Sequence, residues 1–428
     1  MTEDRLPHPG WMTRRPWTLT LRLLAPGDIR ATPAQLAAFR SYAEAGDPLA
    51  DAVAEMFSRL PGGTGRRLFE QALRHGIGTL DDPPPELVEF FAAVDPVPYW
   101  LDPGLVRRGA GVIGRTGLLG LAVVMPCASL YGGYLASRAN KTLLRTGELD
   151  AMAPRRLAET ASWWVDVTTP GGLGRFDAGF TQTLRVRVMH AQVRAAMARR
   201  ADWDSDAWDA PINQVQLTGT LLLFSLVMLL GSRALGLRFS AADRAAALHL
   251  WRYVGHLMGV HPDLLPANEA DAWRLLWLES ATEFRPDGDS RRLGRALMDA
   301  AAPLLLPPAL KDSATARRVL TNYLFSYSRI VLGGRNADHL GAPDSRPYRA
   351  AVLGTAAGVF AVETVRRLVP GATRLSERAG QRRRTALIRR MVAEQRADRS
   401  YGRHDALRSP ANGRALDAGT AWHGGTCG

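Results

Sequence analysis

Residues 183–200, TLRVRVMHAQVRAAMARR, hold one imidazole in a setting where it can do chemistry. On a helical wheel at about 100° per residue, Val186, Val193 and Met197 fall within about 60° of His190 on one side. Arg187 and Arg194 fall within about 60° on the other. One reading is a half-buried structural histidine beside a solvated basic face. The other is an axial haem ligand, since a haem takes one imidazole from an apolar wall and cations near its rim for two propionates. In that reading His190 is the metal ligand, and Arg187 and Arg194 are cofactor-binding residues.

The other residues with metal or catalytic chemistry are arranged less usefully. His249 and His256 are two turns apart, roughly 10 Å along one helix face, too far to share one metal ion. His256 and His261 straddle Gly259, a helix-ending residue, and no H-E-x-x-H or acidic cluster accompanies them. With only Cys127 and Cys427, the chain has no C-x-x-C-H, cysteine metal site or disulfide framework, so any haem is held without a covalent thioether. G-x-G-x-x-G, P-loop and G-x-S-x-G patterns are also missing, which argues against a nucleotide enzyme or a serine hydrolase.

The elements that must position these residues are helical. Thr32-Pro33 and Asp47-Pro48 read as cap-plus-first-turn starts, Gly46 as a stop, and Ser240 with Asp243 as a capping box. Period-2 alternation between hairpin turns does not occur, so the fold class is all-α, with 1–96 as an N-terminal helical region. The uncharged stretch 210–232 is strongly apolar only from Leu217 to Leu230, short for a span of roughly 20 residues, and it starts with Asn213, Gln214 and Gln216. Residues 116–137 are interrupted by Pro126 and several glycines. Both are expected as buried helices.

The net charge of +13 raises nucleic acid or an anionic membrane as partners. From Arg366 to Arg414, however, fourteen arginines face four acids, so about ten of the thirteen excess charges lie in the last part of the chain. No specific nucleic-acid partner is expected, and a peripheral membrane contact through the basic segment is. Residues 372–428 read as a basic, Arg-rich tail, charge-rich and then Gly-rich, ending in disorder. Near Arg14-Arg15 there is no uninterrupted apolar segment, so no export signal is read and the expected location is the cytoplasm.

Four blocks in order, PRRLAETASWW, RVRVMHAQVR, PINQVQLTGTLLLFS and WRYVGHLMGVHPDLLP, resemble the rubber-oxygenase family, which includes latex clearing proteins and a fungal mycophenolate-pathway oxygenase. The likeness runs from residue 97 to 371, about two-thirds of the chain, and its specificity lies in the order and spacing of the blocks. It implies a globin-like helical core around a non-covalent haem b, and cleavage of isoprenoid double bonds by dioxygen. His190 then matches the proximal iron ligand, and 97–371 is the haem-binding catalytic domain.

Arg156 and Thr160 match the Arg-x-x-x-Thr of the preceding helix on the substrate side, where one turn of spacing gives them a common face. An arginine there can polarise bound oxygen and a threonine hydroxyl can orient it. A plain surface pair of Arg156 with Glu159 is the alternative. The chain departs from the rubber-cleaving pattern at Glu159, where relatives tend to carry a lysine able to cover the iron. Glu159 and Glu148 are acid/base candidates. With no export signal read, the expected substrate is an intracellular hydrophobic small molecule or isoprenoid. A haem- or lipid-binding protein without turnover, and a peroxidase- or monooxygenase-like haem enzyme on another lipid, are the competing readings.

Overall fold

A computed structural model describes residues 24–146 and 149–397. Among the described residues the chain is helical, the only bridge-type pairing being an isolated one between Ala136 and Phe284. The N-terminal region gives α1 (Pro33–Ser41), α2 (Pro48–Arg59), α3 (Thr64–His75) and α4 (Pro85–Val94). The body follows with α5 (Pro103–Arg115), α6 (Gly117–Gly133), α7 (Ser137–Arg145), α8 (Leu149–Val167) and α9 (Ala178–Ala198). Next come α10 (Gln214–Ala234), α11 (Ala241–Leu257), α12 (Glu269–Thr282) and α13 (Gly288–Leu305). The chain closes with α14 (Ala314–Leu332), α15 (Arg346–Leu368) and α16 (Ala372–Gln395).

The caps expected from sequence are made. Thr32 and Gln35 close a capping box at α1, the Asp47 carboxylate accepts from the Ala50 amide at α2, and Ser240 and Asp243 exchange two bonds of 3.1 Å at α11. The α1 segment stops at Ser41 and continues as a short 3₁₀ turn to Glu44, just ahead of Gly46.

The core is one large cluster with a small satellite of Val193, Met197 and Trp203 beside it. The α9 helix packs on α2 and α8, α11 crosses α5, and α8 also meets α13 and α16. The α5–α11 crossing depends on Gly109, where a Cβ would stand 2.3 Å from the Ala246 carbonyl oxygen. The α10 helix is long and apolar enough to cross a membrane by length and composition, yet 72% of its apolar stretch is buried inside the protein, as a core helix requires. The 116–137 stretch forms α6, bent by 87° from α5 and π-helical from Gly120 to Leu130, with Pro126 inside. A second π segment, Leu223–Val227, interrupts α10. The two meet where the Ser129 hydroxyl donates to the Leu223 carbonyl at 2.7 Å, satisfying a backbone group in a distorted helix.

The reading of 372–428 as a tail is corrected for its first part. Residues 372–395 form α16, which packs on α5 and α8. Gly380 allows this, since a Cβ there would lie 2.2 Å from the Gly114 carbonyl oxygen. Arg384 is fully buried, with its guanidinium 4.5 Å over the Trp164 ring and donating to the Thr168 hydroxyl. Burial without a carboxylate pushes its pKa down to about 9. The basic segment from residue 398 on, the N-terminal stretch on which the export reading falls, and Glu148 lie outside the described residues.

Candidate active site

A cavity of about 400 Å³ opens inside the helical body, within the range of small-molecule and cofactor sites. The α8 helix lines it with Ala153, Arg156, Leu157 and Thr160, and α9 with Val186, Met189, His190 and Val193. Both sets follow the i, i+3, i+4, i+7 spacing of one helix face, so two neighbouring helices present their stripes to one space. Trp251 and Val254 of α11, Met258 at its C-cap, and Leu217 and Leu221 of α10 complete a mainly apolar wall. In this wall Trp251 stacks on Phe224 at 5.8 Å and Trp163 meets the two rings edge-on at 5.9 and 5.6 Å, while the Trp163 Nε1 donates to Thr183 Oγ1 at 3.0 Å.

His190, Arg156, Thr160 and Glu159 therefore share one cavity, although 30 residues separate the imidazole from Thr160. Arg156 does not pair with Glu159 on the surface. Its Nη2 donates to the Thr146 carbonyl at 3.0 Å and to Thr146 Oγ1 at 2.6 Å, and its Nη1 to the Leu143 carbonyl at 3.2 Å. The guanidinium thereby ties the end of α7 to α8. Glu159 is buried and takes its bond from Arg155 Nε at 2.9 Å, an i, i+4 pair one residue away from the pair expected.

Arg187 and Arg194, expected as cofactor-binding residues, do not line the cavity. Arg187 is buried and grips Asp47 with bonds of 2.6 and 2.9 Å, its guanidinium 5.0 Å over the Phe90 ring. Arg194 holds Asp51 at 2.9 Å and donates to the Ile212 carbonyl at 2.6 Å. Both are turned toward the N-terminal helices, so the side of α9 read as a solvated basic face is a second buried face carrying paired charge. Nothing local in sequence marks the distant carboxylates.

Sequence reasoning passed over several polar wall residues. Gln216 and Thr220 line the cavity from α10, and Gln216 Nε2 is buried with no hydrogen-bond partner among the described residues. Asn140 and Tyr134 also line the cavity, and burial pushes the Tyr134 phenol up to about 12 and keeps it a neutral donor. Only the polar start of the apolar stretch hinted at Gln216. His249 and His256 lie elsewhere, edge-on to Trp100 at 5.8 and 6.0 Å. Burial, and for His256 the nearby Arg187, lowers the pKa of both.

Among the described residues no three His, Cys, Asp or Glu side chains converge on a point where they could hold a bare ion. A single imidazole in an apolar wall, with a cation and an unpartnered amide donor beside it, is instead the donor set for a planar group that brings its own equatorial ligands. The residues fit a haem, and His190 is the side chain on the wall that could hold one.

An all-helical body with one deep, largely apolar cavity and a few convergent polar groups belongs to the class of proteins that enclose a hydrophobic small molecule or cofactor. Residues 117–367 match the family model described as ER-bound oxygenase mpaB/B'/Rubber oxygenase, catalytic domain, and the chain belongs to that family. It is 24% identical over 276 residues to a rubber oxygenase of Streptomyces sp. (strain K30), covering 64% of this chain and 63% of that relative. The chain thus spans less than two-thirds of the length of the curated relative it matches. A solved latex clearing protein in the closed state has the same fold, with a TM-score of 0.59 at 21% identity over 80% of this chain and 91% of that one.

Proposed function

We propose that the protein is a haem b-dependent oxygenase that uses dioxygen to cleave a carbon–carbon double bond in a hydrophobic, isoprenoid-like substrate. The observation carrying this reading is the convergence of His190 with Arg156, Glu159 and Thr160 on one apolar cavity. Haem b, when bound, supplies the activation of dioxygen. The balance is one alkene plus one dioxygen giving two carbonyl compounds, so no external reductant is consumed.

The chain's own residues bind, orient and exclude water. His190 holds the cofactor from α9. The aliphatic and tryptophan wall takes an alkene out of water, stabilising it by about 25 cal/mol per Å² of apolar surface buried. Arg156, fixed by Thr146 and the Leu143 carbonyl, places a permanent positive charge at the wall where oxyanion character develops. Thr160, one turn on, offers a hydroxyl that can donate or accept. Glu159 is the only carboxylate on the wall among the described residues, and with Oε1 held by Arg155 it is the group placed to take and return a proton. Gln216 and Tyr134 remain as donors for a polar end of cofactor or substrate.

The test is turnover: purified protein reconstituted with haem b and given a short polyisoprene oligomer in air. Oxygen uptake matched by two carbonyl ends per bond cleaved is expected. Uptake with epoxide or alcohol as sole product would move the reading to a monooxygenase, and a haem spectrum with no turnover on alkenes would move it to a binding protein.

A further inference from the structure

The outer face of α15 is apolar and, among the described residues, uncovered. Leu353 is 59% exposed, Val362 68% and Leu368 78%, with Phe360 and Val365 beside them, and Leu375 continues the patch onto α16 at 70%. Gly354 and Gly358 have nothing within 4 Å of where a Cβ would stand. A run of exposed large apolar side chains on one helix is unlike the singly scattered residues of an ordinary surface, and marks an interaction site. The charge around it is predominantly positive, although Asp344 at its start pairs with Arg349 at 3.3 Å and Arg366 and Arg384 are buried. Between residues 345 and 384 nine arginines stand against two acids, Glu363 and Glu377. Glu363 is buried in a pair with Arg366 at 2.7 Å, and Glu377 lies 4.0 Å from the buried Arg115. Arg367, Arg374 and Arg378 are exposed; Arg367 and Arg374 are adjacent in sequence to Leu368 and Leu375, and Arg378 lies one turn beyond Leu375.

We propose that α15 and the start of α16 form a docking surface for an anionic phospholipid bilayer. An interfacial helix buries an apolar face at the acyl boundary and keeps cations at headgroup level, which is the pattern on this surface. Charge complementarity favours lipid over a second copy of the chain, because a two-fold pairing through this face would bring the same arginines together. A bilayer is also where hydrophobic substrates reside, although the docking proposal stands independently of the chemistry in the cavity.

The test is flotation of the full chain with vesicles of phosphatidylglycerol and phosphatidylcholine, against vesicles of phosphatidylcholine alone. Binding to the mixed vesicles that falls steeply with salt is expected. Each arginine at an anionic surface strengthens binding about fivefold, so Arg367→Glu, Arg374→Glu and Arg378→Glu together should weaken it on the order of a hundredfold or more. Val365→Glu with Leu368→Glu should abolish it, and circular dichroism with the thermal midpoint shows whether these exposed positions leave the fold intact. Equal binding by wild type and both variants, or no flotation of wild type, overturns the proposal. So does sedimentation of the wild type as a dimer that Val365→Glu with Leu368→Glu converts to monomer, which would assign the face to a second copy.

Discussion

Replacing Arg187 with methionine separates its two readings, one as a partner of cofactor propionates and one as an internal strut. In the structure its guanidinium makes two bonds to the buried Asp47 carboxylate, which also caps α2, and lies over Phe90. Methionine fills much of the same volume but leaves a carboxylate in the interior without a cation. Breaking a buried pair from one side costs about 3–5 kcal/mol. In a protein of 428 residues that corresponds to a thermal midpoint lower by about 3–6 °C. Differential scanning fluorimetry measures it, and the absorption spectrum of the folded fraction should keep its haem band. Adding Asp47→Asn should recover part of the loss, because two neutral groups cost less inside than one charge. Unchanged stability with loss of haem would refute the reasoning and return Arg187 to the cofactor.

Arg156→Ala should leave haem content near wild type and lower turnover about a hundred- to a thousandfold, the worth of one preorganised donor at a developing oxyanion; equal loss of haem and activity would make it a structural latch for α7 instead. Glu159→Lys places an amine on the cavity wall beside Arg155, which disfavours its protonation. The haem spectrum should shift toward a six-coordinate, low-spin form, more so as pH rises, and an unchanged spectrum at every pH would mean that residue 159 does not reach the iron. Glu279 is fully buried beside Gly219, and burial with the neighbouring Glu283 holds its carboxyl well above the usual range. The unfolded chain releases that proton near the ordinary carboxylate pKa and the folded chain retains it, so stability falls as pH rises above that point. Glu279→Gln removes the penalty, and urea unfolding should show it gaining on wild type between pH 5 and pH 8; a constant difference across that window would contradict the shift.

How much was legible depended on whether the cause was local. Helix starts at Thr32, Asp47 and Ser240 were readable because a cap and its helix are three residues apart. The burial of α10 was readable from its polar first turn. The family followed from four blocks in order, and the structure brings His190, Arg156, Glu159 and Thr160 to one cavity. The partners of Arg187 and Arg194 were not readable, for a non-local reason. A wheel cannot distinguish a solvated cation from one that meets a carboxylate 140 residues away, as Arg187 meets Asp47. The same blindness made α16 look like a tail, because its fully buried Arg384 reads as surface in composition. Gln216 went unassigned because a single amide carries no motif.

The most direct test of the central claim is the absorption spectrum of the purified protein with His190→Ala beside His256→Ala. Wild type and His256→Ala should show a Soret band with near-stoichiometric haem, and His190→Ala should lose it while keeping its helical circular dichroism. Full haem occupancy in His190→Ala would contradict the account.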